Sequence, residues 1–501
     1  MTAESEKSVL TVHAKPEGMK IVNYSYPHWI DNAEVHGGSV ELDVHNPATG
    51  EVTGTVRFAD EKLVTRAVES AAAAFPGWRD LPHSKRAAIL LTFRSQLLTR
   101  IDDLAAAITA EHGKTLNESR GEVLRAIETL DIAFGAGNAL QGRSYHNVAR
   151  GIDTVSHNFP LGVCVGVAPF NFPVLLALMP LVMAVASGNT FILKPSELDP
   201  AASILLAQIA REAGFPPGVF TVLHGGKEVV EALIDSDDVA AVAFVGSTPV
   251  AHSVSVRAAQ AGKRSQAFGG AKNHLIALAD ADLSAVADAA VSGAFGCTGQ
   301  RCMAVSVLVA ERDIADELVE LVVRRSAALV VGDGRDPGTQ IGPLVSQAAR
   351  ERVLGHVDAA IAAGAEPLLD RSREVPEGLD SGYFVGPVVL DNVTPDMAVY
   401  QEEIFGPVLV VVRVDGFDEA LELVNSHRYG NGAVLFTDNG PYARRFQQEV
   451  QAGQIGVNVP VPVPTAAFGS SGWNASAFGD TQMNAGAWPF FTRPKFVTTQ
   501  W

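Results

Sequence analysis

The spacing of apolar positions changes along the chain. Between residues 60 and 140 apolar side chains recur every three or four positions, as in DEKLVTRAVESAAAAF (60–75) and HSKRAAILLTFRSQLLTRIDDLAAAITAEHG (83–113). That is the spacing of amphipathic helices, and the acidic pair at 60–61 suits a helix N-terminus. From residue 161 short β-branched or apolar runs alternate with helical segments, with candidate strands at 162–167, 190–194, 220–223 and 239–245. After residue 275 the alternation resumes, with candidate strands at 305–310, 388–390, 408–412 and 432–436. Strands joined by helical crossovers predict parallel sheets, hence an α/β fold of two lobes. The tail WPFFTRPKFVTTQW (488–501) is aromatic and β-prone but too short to fold alone. It is expected to pair with another strand, within the chain or across a subunit boundary.

The stretch 159–186 carries no charged residue and is long enough to cross a membrane. However, Pro160, Pro169, Pro173 and Pro180 interrupt it, and Asn171 lies in its middle. A buried strand at 162–167, a turn, and a buried helix at 172–186 account for it better. The 501 residues, 47% apolar and 19% charged, suffice for more than one packed domain. A formal charge of −18 argues against a nucleic-acid partner, since a phosphate backbone would be repelled. Small anionic ligands stay open, because they respond to a few local Lys and Arg. Three cysteines, Cys164, Cys297 and Cys302, are too few for a disulfide framework and suit a reducing cytosol. The start MTAESEKSVLTV lacks the basic and apolar regions of a secretory signal. The expectation is a cytoplasmic protein with neither nucleic acid nor membrane as partner.

Several motifs fail their tests. HGKT (112–115) ends like a phosphate-binding loop, but Ile108 stands where that loop needs glycine. The GxG sites at Gly135, Gly332 and Gly430 lack the last glycine of a dinucleotide fingerprint and a preceding strand. No histidine pair has the spacing of a zinc site, and no GxSxG elbow occurs, so no metal is expected. The segment FGCTGQRCMA (295–304) is different: glycine-punctuated, polar in its centre and flanked by apolar runs. Arg301 directly precedes Cys302, and a guanidinium together with backbone N–H groups would favour the attacking thiolate. Composition alone fits a buried, inert cysteine as well. Cys164 and Cys297 have more apolar neighbours and read as structural.

In chain order, PFNFP (169–173), LKPSE (193–197), FVGSTP (244–249), GQRCMA (299–304) and EEIFGPV (402–408) closely resemble successive motifs of the aldehyde dehydrogenase superfamily. FGGAKNH (268–274) and GQIGVNVPVPVP (453–464) resemble its CoA-acylating methylmalonate-semialdehyde dehydrogenase branch. The resemblance implies two Rossmann-like parallel-sheet lobes plus a small β oligomerisation element. Residues 20–142 and 161–265 would form the NAD-binding domain and 266–475 the catalytic domain. Residues 143–160 and 480–501 would supply oligomerisation strands of a homotetramer (a dimer of dimers), and 1–19 an N-terminal extension. Cys302 is then the nucleophile, and the Asn171 amide with the Cys302 backbone N–H the oxyanion hole. Phe170 would border the cofactor. Lys194 and Glu197 would hold the adenosine ribose, and a carboxylate there favours NAD over NADP. Gly246 and Ser247 would approach the pyrophosphate, Glu403 the nicotinamide riboside, and Phe405 the nicotinamide ring. Without the family, Asn171 reads as a turn residue before Pro173, and Lys194–Glu197 as a surface ion pair.

No acidic residue lies between Asp238 and Asp280. Hydrolytic relatives place a glutamate before a Leu-Gly-Gly segment, and the position matched to it here is Ala267. Loss of a positioned base costs water attack about 10²–10⁴-fold, whereas the more acidic thiol of coenzyme A needs less help. The expected reaction is therefore NAD-dependent oxidation with acyl transfer to coenzyme A; the alternative is hydrolysis of the thioester. Arg257, Lys263, Arg264 and Lys272 fall in the acid-free span and would suit an anionic co-substrate or simply a solvated basic face. The resemblance implies a semialdehyde bearing a carboxylate, bound by Arg125 (in GEVLRAI, 121–127) and Arg301. Arg125 has Glu122 and Glu128 three residues away, so a helical ion pair is the competing reading.

Overall fold

The computed structural model describes residues 24–501; the expected extension 1–19 lies outside them. The strands expected after residue 161 are present, four of them being Val163–Val167, Thr190–Lys194, Phe220–Val222 and Val239–Val245. Almost every residue in these four is buried, which is why the runs read as continuous rather than alternating. They lie parallel in an eight-stranded sheet, with Arg264–Phe268 beyond Val239–Val245. Ala477–Gly479 and His28–Ile30 flank the parallel strands as antiparallel neighbours. The chain starts at Val163–Val167, steps outward through Thr190–Lys194 and Phe220–Val222, then reverses to Val239–Val245 on the other side. A crevice opens outside the carboxyl ends of strands at such a switch point.

The expected divide at 265/266 is corrected by the sheet. It cuts the strand Arg264–Phe268, all five residues of which pair with Val239–Val245. The first lobe therefore runs through Phe268, and the chain returns to it at Ala477–Gly479.

The second lobe holds a seven-stranded sheet in the order Glu366–Asp370, Val388–Asp391, Val408–Val414, Val305–Glu311, Asn273–Ala277, Gly432–Phe436, Gln454–Val457. All pairings are parallel except that of Glu366–Asp370. The tail strand Thr492–Gln500 pairs antiparallel with Ile152–Pro160 of the same chain, and that strand with Ser144–Ala149. Of the expected 480–501 segment, only these last residues join this sheet. The charge-free stretch is the strand Val163–Val167, a turn, and the buried helix Leu175–Ala186. No helix among the described residues is long and apolar enough to cross a membrane.

The helical region begins where Asp60 caps Glu61–Asp80 by accepting the Leu63 N–H at 2.9 Å. Ile101–His112 stops at Gly113, whose φ of +91° suits glycine, and a Cβ there would meet Pro343 at 2.5 Å. Thr115 and Glu118 then form a reciprocal capping box for Leu116–Phe134. HGKT is thus a helix stop followed by a helix start.

Candidate active site

The expected residues of the first lobe gather at the carboxyl ends of its parallel strands. Phe170 and Asn171 follow Val163–Val167, Lys194 ends Thr190–Lys194 with Glu197 just beyond, and Gly246 and Ser247 follow Val239–Val245. Those of the second lobe precede strands: Cys302 lies before Val305–Glu311, and Glu403 and Phe405 before Val408–Val414. One cavity of about 420 Å³ is lined from both lobes, by Val245, Phe268 and Gly269 on one side and Cys302, Met303 and Asn431 on the other.

Cys302 is held by a strained turn. Cys297, Thr298 and Gly299 adopt consecutive left-handed conformations, with φ of +49°, +56° and +69°. Glu118 accepts the Cys297 N–H at 2.6 Å, and the Thr298 hydroxyl donates to the Gly342 carbonyl at 3.0 Å. At Gly299 a Cβ would lie 2.1 Å from the Gly406 carbonyl oxygen, so the backbones touch directly. Downstream, the amides of Asn273 and Asn431 both donate to the Cys302 carbonyl at 2.9 Å. The loop that carries Cys302 is thus fixed on both sides of it.

Arg301 and the backbone N–H groups favour the thiolate as expected, but they do not set the net ionisation. Burial, and next the nearby Glu403 carboxylate, push the Cys302 thiol up to about 11. The N–H groups of Cys302 and Met303 and the Arg301 charge act in the opposite direction and are outweighed. Arg301 is engaged elsewhere: its guanidinium meets Glu118 at 3.2 Å and contacts Cys297. Cys297 itself is buried but borders the same cavity, whereas Cys164 is enclosed within a strand.

Asn171 is buried, and its side-chain amide donates to the Gln300 carbonyl at 3.0 Å, two residues from Cys302. Its own carbonyl accepts from Lys114 Nζ at 2.8 Å. Phe170 packs edge-on against Phe405 at 5.8 Å, and Phe405 has a left-handed φ of +56°. Glu403 lines a small second cavity together with Cys302, Arg301 and Phe405. Its carboxylate accepts the Ala271 N–H at 3.0 Å, and burial raises its carboxyl to about 7. Lys272, buried, donates to the carbonyls of Val399 (2.7 Å) and Glu402 (3.0 Å) and so anchors the chain beside Glu403.

The nucleotide end of the crevice has a donor set suited to a ribose diol. Lys194 Nζ lies 3.0 Å from Glu197, leaving further ammonium protons and a half-buried carboxylate at one strand end. Ser247 precedes the helix Thr248–Gln260 without capping it by its side chain, so the Thr248 and Val250 N–H groups are available to a pyrophosphate, Pro249 having none. These residues fit a dinucleotide laid across the switch point.

Arg125 and Arg301 line the 420 Å³ cavity with Cys302. Arg125 pairs with Glu128, as the helical reading anticipated, and also donates to the Pro464 carbonyl. The basic residues of the acid-free span do not gather there. Arg257 binds Asp235, Lys263 the Ser236 carbonyl, Arg264 carbonyls of the C-terminal segment, and Lys272 is enclosed. They offer no cluster to an anionic co-substrate.

The position facing the thiol also differs from expectation. Alternation along Arg264–Phe268 turns Ala267 into the first-lobe core, whereas Phe268 lines the cavity. The side chain that this strand end presents to the cavity holding Cys302 is therefore Phe268. The cavity's carboxylates, Glu118 and Glu122, are already bonded to backbone N–H groups and to cations. Reading the sequence also missed Lys114, Glu122, Asn273 and Asn431. Their signal was polar side chains punctuating buried runs, including the lysine of HGKT.

Comparison with known proteins agrees with this geometry. The aldehyde dehydrogenase family model matches residues 35–497. The chain is 44% identical over 476 residues to malonate-semialdehyde dehydrogenase of Pseudomonas aeruginosa, covering 95% of this chain and 96% of that protein. It is 44% identical over 462 residues to the mitochondrial acylating methylmalonate-semialdehyde dehydrogenase of Arabidopsis thaliana, covering 92% of this chain and 76% of that one. Methylmalonate-semialdehyde dehydrogenase of Oceanimonas doudoroffii superposes with a TM-score of 0.94 at 43% identity, covering 95% and 98% of the two chains. A Sinorhizobium meliloti 1021 protein solved in complex with NAD superposes with a TM-score of 0.95 at 40% identity, covering 96% and 99%. With a family match across nearly its whole length and a cysteine set between two parallel-sheet lobes, the chain belongs to the aldehyde dehydrogenase family.

Proposed function

We propose that this protein oxidises malonate or methylmalonate semialdehyde with NAD and transfers the resulting acyl group from Cys302 to coenzyme A. The relatives named above act on these semialdehydes, and one is acylating. The observation that carries the reading is Phe268: an apolar ring stands at the cavity wall where hydrolysis needs a base.

The Cys302 thiolate adds to the aldehyde carbon, and the charge passes to the former carbonyl oxygen. The Asn171 amide and the Cys302 backbone N–H stabilise that alkoxide. Lys194, Glu197, Gly246, Ser247 and Glu403 would hold NAD, with Phe170 and Phe405 bordering its site, and NAD would serve as the hydride acceptor. Collapse of the alkoxide breaks the former aldehyde C–H bond, the hydrogen leaving as hydride to that acceptor, and leaves a thioester on Cys302. Arg125 and Arg301 bind the substrate carboxylate, Arg301 exchanging Glu118 for it. Loss of the β-carboxylate as CO₂ leaves an enolate delocalised into the thioester, which takes a proton at carbon. The thiol of coenzyme A then attacks the thioester and releases Cys302, giving propionyl-CoA or acetyl-CoA. With an apolar ring at position 268 in place of a positioned base, thiolysis outruns hydrolysis. We also infer a cytoplasmic homotetramer; exposed Tyr145 and Phe496 on the three-stranded sheet, with exposed Trp501 just beyond its last strand, support a protein interface there.

The test is an assay of both semialdehydes with and without coenzyme A, with the acyl product identified by mass spectrometry. Propionyl-CoA and acetyl-CoA are expected. Equal turnover without coenzyme A, releasing a free acid, would overturn the reading.

A further inference from the structure

We propose that the buried ion pair Lys114–Glu122 positions Asn171 for its part in the reaction, an inference that rests on the oxyanion role assigned above. Both side chains are fully enclosed. Lys114 Nζ donates to Glu122 and, at 2.8 Å, to the Asn171 carbonyl. It also lies 4.5 Å from the centre of the Phe172 ring. The other Glu122 oxygen accepts the N–H of Val174 at 2.8 Å and of Leu175 at 3.0 Å. One ion pair therefore grips the backbone at residue 171 and again at 174–175. Between the grips lies the turn that aims the Asn171 amide toward the cysteine loop, where it meets the Gln300 carbonyl at 3.0 Å.

The arrangement follows from the helix stop at Gly113. That turn sends Lys114 inward at the start of Leu116–Phe134, and Glu122 lies two helical turns along the same helix. Two charges withdrawn from water are a poor source of stability, since an apolar pair of similar volume often does as well. They do fix geometry: a carboxylate accepting two N–H groups and an ammonium bonded to a carbonyl leave the turn one orientation. A displacement of about 1 Å at a reacting centre can cost about 10²-fold in rate. Lys114 and Glu122 touch no reacting atom in this scheme, so they are positioning residues.

The test uses the full-length enzyme with NAD and semialdehyde but no coenzyme A, reading the rate of the first NADH turnover. Lys114→Met alone leaves Glu122 charged and buried, and risks misfolding. The paired variant Lys114→Met/Glu122→Gln removes both charges and keeps an acceptor for Val174 and Leu175. It is expected to slow the first turnover about 10²-fold while NAD affinity stays unchanged. Adding Asn171→Ala to it is expected to cost little more, because the same interaction is already lost. Alkylation of Cys302 by iodoacetamide creates no alkoxide, so its rate is expected to be equal in all these variants. An unchanged first turnover in the paired variant, full additivity with Asn171→Ala, or slowed alkylation would overturn the positioning role alone. A normal rate in Asn171→Ala by itself would overturn the oxyanion assignment and the positioning role together.

Discussion

The state of the Cys302 thiol can be tested directly. The structure places its ionisation near 11, through burial first and the Glu403 carboxylate second. At pH 8 about one molecule in a thousand would carry the thiolate, against about a quarter for a free thiol near 8.5. That deficit is about 200-fold. A more basic thiolate is a better nucleophile, and a Brønsted slope near 0.45 returns about tenfold across this shift. Alkylation of the cofactor-free enzyme should therefore run about 20-fold slower than that of a free cysteine at pH 8. The rate should climb about tenfold per pH unit from 8 to 10. Glu403→Gln keeps an acceptor for the Ala271 N–H and removes the charge. Its profile should move to lower pH without reaching the free-thiol value, because burial remains. The assay is iodoacetamide labelling read at the Cys302 peptide by mass spectrometry, which separates it from Cys164 and Cys297. A wild-type midpoint at or below 8.5, or no shift in Glu403→Gln, would refute the electrostatic account.

Other consequences are equally accessible. Phe268→Glu should release free acid without coenzyme A, at a rate at least about tenfold above wild type, since a positioned base is worth about 10²–10⁴-fold. Ala267→Glu should instead bury a carboxylate in the first-lobe core and lower the yield of folded protein; product analysis of both variants checks the assignment. Arg125→Met should raise the KM for a semialdehyde carboxylate about tenfold or more and leave that for propanal unchanged; equal effects on both would remove Arg125 from carboxylate binding. Glu197→Gln should narrow the preference for NAD over NADP by about tenfold, read from the two dissociation constants. Gly299→Ala should lower the melting temperature and abolish activity. A left-handed alanine costs about 1–2 kcal/mol, and its Cβ would strike the Gly406 carbonyl; an unchanged melting curve would contradict the close approach.

Much of the fold was legible because the cores are deep. The strands at 190–194, 239–245 and 432–436 begin and end where the apolar runs predict, since sheets covered on both faces need unbroken β-branched or apolar segments. Arg264–Phe268 was harder to read. It carries Arg, Ser and Gln among its five residues, so no unbroken apolar run marks it as a strand. Its alternation also decided whether position 267 or 268 faces the thiol, and a shift of one residue exchanges core for cavity. The candidate cysteine stood out through its glycine-punctuated loop, but the burial and the Glu403 carboxylate that raise its ionisation arise only in the fold. Adjacency in sequence suggested Arg301 as its partner, whereas folding turns that guanidinium to Glu118 and Cys297.

The order of elements and the two parallel-sheet lobes were determined by the sequence itself, because apolar periodicity acts over short distances, and the motif around Cys302 marked it as the candidate thiol. Which charges neutralise one another was decided only by tertiary structure. Lys114 and Glu122 are eight residues apart, but Asn171 and Glu403 come from distant segments, and each acquires its partners only once both sheets are in place. Electrostatic strength depends on burial and on distances of a few ångströms through space, and neither is written in the spacing of residues along a chain.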